Sequence, residues 1–325
     1  MRRREFISLI GGLAAIPLTA RAQQAAMPVI GFLHAGSALT SMDAVAAFRD
    51  GLKENSYVEG HNVTIEYRWA ENHYDRLSGL LAGLVSQQAA AIFAGALPAA
   101  LVAKAASMTT PIVFLIGGDP ISAGLVNSLN RPSGNMTGVT VFSGTLLAKR
   151  LELLQKVTSG ATTVAVLVNP KNPNAESRSS DIDAAARRIG IQPQFLNASN
   201  DTDLNDAFAT MIERRVGAML VVDDPFFTSR RDQLVTLAAR NAIPSIYFQR
   251  EFVVAGGLMS YATKYSDMYK QAGIYIGRIL KGEKPIDLPI VQPTKFEFVL
   301  NLKTARALGL TIPPSVLATA DEVIE

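Results

Sequence analysis

Apolar residues fall along this chain in short unbroken runs, separated by longer stretches where they recur every third or fourth position. The runs at 29–34, 90–94, 112–116, 163–168 and 218–222 do not alternate, so they read as strands covered on both faces, as in a parallel sheet. Residues 41–52 set Ala44, Val45, Phe48 and Leu52 at helical spacing. Residues 62–69 alternate instead, with Val63, Ile65, Tyr67 and Trp69 on one side, and predict a half-buried strand. Helices are expected over 74–85 and from Pro98 to about 107. The stretch 111–142 then organises the chain. Its apolar run stops at Gly117-Gly118, and Asp119-Pro120 has the order of a helix cap followed by a first helical residue. A second extended run, 137–142, leads towards a new helix.

The same grammar restarts beyond it. Helices are expected at 146–156, 176–189, 203–214 and 228–241, and strands at 163–168, 194–196, 218–222 and 244–248. Glu251 opens a short helix that Gly256-Gly257 stops. Strand 258–262, helix 267–280, a proline-punctuated stretch 285–293, strand 296–300 and helix 304–308 follow. Strand and helix alternating with short turns is the signature of a doubly wound sheet, and two such units predict an α/β protein of two Rossmann-like lobes around one cleft.

Charge changes the picture only at the start. The 325 residues carry a net charge of +3, with 31 basic and 28 acidic residues. Arg2, Arg3, Arg4 and Arg21 against Glu5 supply all of that excess, so the rest is neutral, and no basic patch for nucleic acid is expected. Residues 1–22 run from a charged start through a short apolar segment to Ala20-Arg21-Ala22, the order of a cleaved signal peptide. Arg3-Arg4-Glu5-Phe6-Ile7 resembles the twin-arginine export motif, although Arg2 and Ser8 depart from it and leave Sec export open. A periplasmic location is expected. There is no cysteine, which excludes disulfides, thiolate metal sites and thiol catalysis.

Motifs for chemistry are missing. There is no Walker A sequence, dinucleotide fingerprint, Gly-x-Ser-x-Gly elbow or His-Glu-x-x-His, so neither cofactor nor metal is expected, and the chain reads as a non-enzyme. His34 stands at a strand end and is open between ligand contact and core. Asp223 and Asp224 point to opposite faces if still in the strand, and one of them reads as the cap of the next helix.

Several motifs resemble the ABC-transporter substrate-binding proteins whose best-understood members bind tryptophan or tyrosine. They are Gly117-Gly118-Asp119-Pro120, Leu129-Asn130-Arg131-Pro132, Thr137-Gly138-Val139, Asn169-Pro170-x-Asn172-Pro173, Asp224-Pro225-Phe226, Arg250-Glu251-Phe252 and Pro293-Thr294-Lys295-Phe296-Glu297. The likeness implies a type I periplasmic-binding-protein fold with three interlobe crossings, capture of a small molecule by hinge closure, and delivery to an ABC permease. Lobe 1 is then expected at 23–140 plus 259–284 and lobe 2 at 141–258 plus 285–325, in a monomer. An exported enzyme using the same cleft, or a binding protein feeding a membrane sensor, are the rival readings.

In open α/β sheets, ligands bind beyond the carboxyl ends of the strands. That rule selects Ser37, Ala96, Leu97 and Asp119 in the first lobe. In the second it selects Asn169, Asp224, Phe226, Tyr247 and Glu251, with Thr140 and Tyr261 on the expected crossings. Backbone N–H groups near Ser37 and Gly95 suit a carboxylate, Phe226 and Tyr247 an apolar body, and Asp224 or Glu251 an ammonium. An amino acid or small aromatic acid is the expected solute.

Overall fold

The computed structural model describes residues 27–106, 109–141, 143–158 and 161–325. The expected signal peptide lies outside them. Lobe 1 opens with β1 (Val29–His34), α1 (Met42–Lys53), β2 (Thr64–Trp69), α2 (Leu77–Ser86), β3 (Ala91–Gly95), α3 (Leu97–Ala106), β4 (Ile112–Ile116) and β5 (Met136–Thr140). The five strands form one parallel sheet in the order β2-β1-β3-β4-β5. Every residue of β3, β4 and β5 is buried, which is why those segments carry no alternation. The alternating β2 is an edge strand and is only partly covered.

Lobe 2 continues with α4 (Ser143–Val157), β6 (Thr163–Val168), α5 (Ala175–Ile189), β7 (Gln192–Asn197), α6 (Asp201–Glu213), β8 (Ala218–Val221), α7 (Pro225–Ser229), α8 (Arg231–Arg240), β9 (Ser245–Tyr247), α9 (Arg250–Val254) and β10 (Met259–Ala262). The chain then forms α10 (Tyr265–Leu280), β11 (Glu297–Asn301), α11 (Leu302–Ala307), α12 (Pro314–Leu317) and β12 (Glu322–Ile324). The second sheet runs β12-β11-β10-β9-β8-β6-β7, parallel except where β10 meets β11. Each sheet has an apolar cluster on either face, Phe32 and Phe114 on opposite sides of the first and Leu220 and Tyr247 on opposite sides of the second.

The chain crosses between lobes three times, and two boundaries differ from expectation. The first crossing follows Thr140, the last residue of β5. The second lies at 263–264, because β10 pairs with β9 and β11 inside the second sheet. The Gly-Gly stop therefore ends α9, not the lobe. The third lies beyond Val291, whose N–H and C=O bond the backbone of β5 at Gly138 and Thr140, so 285–291 stays with lobe 1 and not lobe 2. Helix α10 crosses back and lies against α1 at backbone distance. A Cβ on Gly51 would stand 2.0 Å from the Lys270 carbonyl, and one on Gly273 2.1 Å from that of Phe48. Only glycine permits this approach.

The helix expected after Asp119 is absent. Asp119 caps a single turn, accepting from the Ile121 amide at 2.9 Å and the Ser122 hydroxyl at 2.6 Å. Gly124 then adopts φ +68°, and the chain drops Leu125 and Val126 into the lobe-1 core. The helix expected at 228–241 is broken at Arg230 into α7 and α8.

Candidate ligand-binding site

The carboxyl ends of both sheets face a cavity of about 150 Å³ between the lobes. Lobe 1 lines it with His34, Gly36, Thr40, Ser41, Asp43, Ala96, Leu97 and Gly117. Lobe 2 adds Asn172, Asn174, Asp223, Asp224, Thr228, Arg231, Phe248, Gln249 and Glu251. Tyr265, Ser266 and Tyr269, at the start of α10, complete the wall.

The lobes touch around this space. Tyr74 of lobe 1 donates its hydroxyl to Asp224 of lobe 2, at 2.9 and 3.1 Å from the two carboxylate oxygens. Asn72 donates to the Ser229 hydroxyl at 2.9 Å, and Arg178 donates to the Gly117 carbonyl. This is a closed arrangement held by direct polar bonds.

Asp224 is the node. It caps α7 through the Phe226 amide at 2.8 Å, with Pro225 at the first helical position, as the sequence predicts for one of the two aspartates. It also accepts from Asn169 at 2.9 Å and Asn172 at 2.7 Å. Burial pushes its pKa up to about 6, while these four donors pull the other way. Burial also raises the Tyr74 phenol, and the Asp224 charge adds to it.

Asp223 turns to the other side. It lies 3.5 Å from the Arg178 guanidinium and in the field of Arg150. Arg150 is 1% exposed, donates Nε to the Tyr261 carbonyl at 2.8 Å, and is pulled down to about 10 by burial. Arg178 thus pairs with Asp223, and Arg150 adds its charge from farther off. The Glu251 carboxylate has no hydrogen bond or ion pair among the described residues, which leaves it open to a ligand cation.

Of the residues chosen by the strand-end rule, Ala96, Leu97, Asp224 and Glu251 line the cavity. Ala96 holds φ +75° where β3 turns into α3. Ser37 and Asn169 stand one layer behind: Ser37 bonds Thr40 at 3.1 Å, and Asn169 braces Asp224. The other five do not line it. Asp119 is spent on its own turn. Thr140 donates to the Gly118 carbonyl. Phe226 sits in the lobe-2 core, with Tyr247 stacked 4.7 Å from Phe252. Tyr261 stacks on Phe296 at 6.0 Å. Tyr247 shares its strand face with Ser245, so it is Phe248, one residue on, that reaches the cleft.

Asn172 and Asn174 escaped the rule although they follow Asn169 in the same loop. Tyr265 and Tyr269 stand one helical turn apart at the start of α10, a spacing that places them on one face. Nothing in the local sequence marks Tyr74. Among the described residues no cluster of His, Asp and Glu could hold a metal ion, and no helix is long and apolar enough to cross a membrane.

This two-lobed fold has close counterparts. A conserved domain protein from Vibrio cholerae superposes with a TM-score of 0.85 at 24% identity, over 91% of this chain and 99% of that one. An ABC domain from Streptococcus pneumonia in complex with L-Trp gives 0.84 at 27% identity over the same shares. The tyrosine-binding protein of Clostridioides difficile (strain R20291) is 25% identical over 267 residues, which is 82% of this chain and 76% of that protein. Residues 29–324, both sheets and all three crossings, match one family throughout, and the chain belongs to it: the ABC transporter substrate binding proteins.

Proposed function

We propose that the chain is the exported solute-binding component of an ABC importer, and that its solute is an amino acid. Capture works by hinge closure. A solute touching both walls favours the closed lobes by as much as it binds them better than the open ones. The observation that carries this reading is the charge of the cavity. Asp43, Asp223, Asp224 and Glu251 line it against Arg231, the one cationic side chain in the lining among the described residues. Arg178 and Arg150 offset Asp223, Asp224 is saturated by donors, and Asp43 is exposed to solvent, so the half-buried Glu251 is the partner best placed for an ammonium. The tyrosine- and L-Trp-binding relatives support the same class. The arginine-led segment 1–22 supports export to the periplasm, and the family supports delivery to a membrane permease.

The test is calorimetric titration of residues 23–325 with each amino acid and with aromatic acids lacking the amino group. Amino acids should bind, be recovered chemically unchanged, and at a hundredfold excess over Kd raise stability by about 2.7 kcal/mol. Binding of deaminated acids alone, or turnover of the solute, would overturn the proposal.

A further inference from the structure

His34 and Tyr269 stand together on the lobe-1 wall of the cavity. The Gly36 amide nitrogen is 2.9 Å from His34 Nδ1. An amide N–H can only donate, so Nδ1 is an acceptor and carries no proton. A neutral imidazole then bears its proton on Nε2. Burial pulls the ring down to about 4 and keeps it neutral. Nε2 lies 2.8 Å from the Tyr269 hydroxyl, so Nε2–H donates and the phenol oxygen accepts. The phenolic hydrogen is left over. Tyr269 is 6% exposed, and among the described residues its hydroxyl has no other hydrogen-bond partner.

A Cβ on Gly95 would lie 2.1 Å from His34 Cδ2, and one on Gly36 3.1 Å from Nδ1, so the imidazole packs into the space that these two glycines leave. Trp69 closes another side, with centroids 5.1 Å apart. The remaining open direction is the cavity. Helix α3 also begins in that wall, where Pro98 has no N–H and the Ala100 N–H is taken by the Ala96 carbonyl, so its first turn offers the N–H groups of Leu97 and Ala99, and among the described residues no Lys or Arg of lobe 1 reaches the cavity. Neutral donors gather here beside the exposed Asp43, while the other three carboxylates of the lining, Asp223, Asp224 and Glu251, belong to lobe 2.

We infer that Tyr269 donates its phenolic hydrogen to a carboxylate oxygen of the bound solute, and that His34 is the positioning residue that fixes this direction. The inference rests on the amino-acid reading and adds an orientation to it: carboxylate to lobe 1, ammonium towards Glu251.

Two measurements test it. The first needs no ligand. Nitrogen-15 NMR of the histidines, with the His34 signals identified by their loss in His34→Leu, should find His34 neutral and protonated on Nε2 between pH 8 and 5. A proton on Nδ1, or an imidazolium forming near pH 6.5, would overturn the inference. The second compares L-tyrosine and L-tryptophan with tyramine and tryptamine, which lack the carboxylate. Tyr269→Phe should weaken the amino acids about tenfold, the loss of one charge-assisted bond, and leave the amines unchanged. His34→Leu should lose the same discrimination, and His34→Gln, which keeps a terminal N–H, should retain part of it. Equal weakening of acids and amines, or none, refutes the orientation. Failure of the unaltered chain to bind any amino acid refutes the proposed function and the carboxylate assignment with it.

Discussion

Replacing Tyr74 by Phe removes one hydroxyl and leaves the ring in place. That hydroxyl joins the lobes by a bond to a carboxylate that is 4% exposed. A hydrogen bond to a charged group is worth about 1.5–3 kcal/mol. Asp224 keeps three donors from its own lobe, Asn169, Asn172 and the Phe226 amide, so the loss belongs at the lower end. About 1.5 kcal/mol is a factor of roughly ten in the closing equilibrium. Where the open form dominates without solute, the apparent Kd rises by the same factor.

The effect should depend on pH. Opening the cleft returns Asp224 to water and towards its ordinary pKa of 3.8, whereas the closed state holds it at about 6. At pH 7 both forms are ionised. As the pH falls through 6, the closed form takes up the proton first, so acidification towards 4 favours closure by roughly 2–3 kcal/mol. That gain is lost as pH rises through 6. A neutral Asp224 is also a weaker acceptor, so the Tyr74→Phe penalty should shrink on acidification. Calorimetric titration of the preferred amino acid at pH 7.5 and 5, with small-angle scattering to follow closure, measures both effects. An unchanged Kd at pH 7.5 with an unchanged scattering curve would refute the reasoning.

Arg178→Ala removes one cation from Asp223 and one donor from the Gly117 carbonyl, so about 3 kcal/mol of stability should be lost; urea unfolding that retains full stability would show the pair to be idle. Gly273→Ala puts a methyl group against the Phe48 carbonyl and should cost about 1–3 kcal/mol by prising α10 from α1, read from the same transitions; a variant as stable as the parent would place those helices further apart. Changing Arg3 and Arg4 to Lys should strand unprocessed precursor in the cytoplasm, by cell fractionation, if export follows the twin-arginine route. Normal processing would assign export to Sec.

The sheets were legible because burial on two faces leaves a plain trace: the run Ile112–Ile116 needed only its composition to be placed. The segment after it was not. Asp119-Pro120 is a sound local signal, but Gly124 and the burial of Leu125 and Val126 override it after one turn. The strand-end rule identified loops more surely than residues. Asp224 and Glu251 line the cavity, whereas Tyr247 is buried and its neighbour Phe248 lines it, because facing alternates residue by residue and a strand's last position cannot be read from its sequence. Tyr74 and Tyr269 come to the cleft from an edge loop and a crossing helix, where only the assembled lobes define what is near.

The glycine seam between α1 and α10 has a mechanical consequence. The amino ends of both helices carry cavity residues, Asp43 on one and Tyr265, Ser266 and Tyr269 on the other. With carbonyls this near the opposite glycines, sliding one helix along the other would drive backbone into backbone. In the proposed closure, a turn at residues 263–264 would enter α10 at Tyr265 and carry α1 and the solute-facing wall with it. Loosening the seam would therefore alter the angle through which the lobes travel before it altered which molecule they enclose.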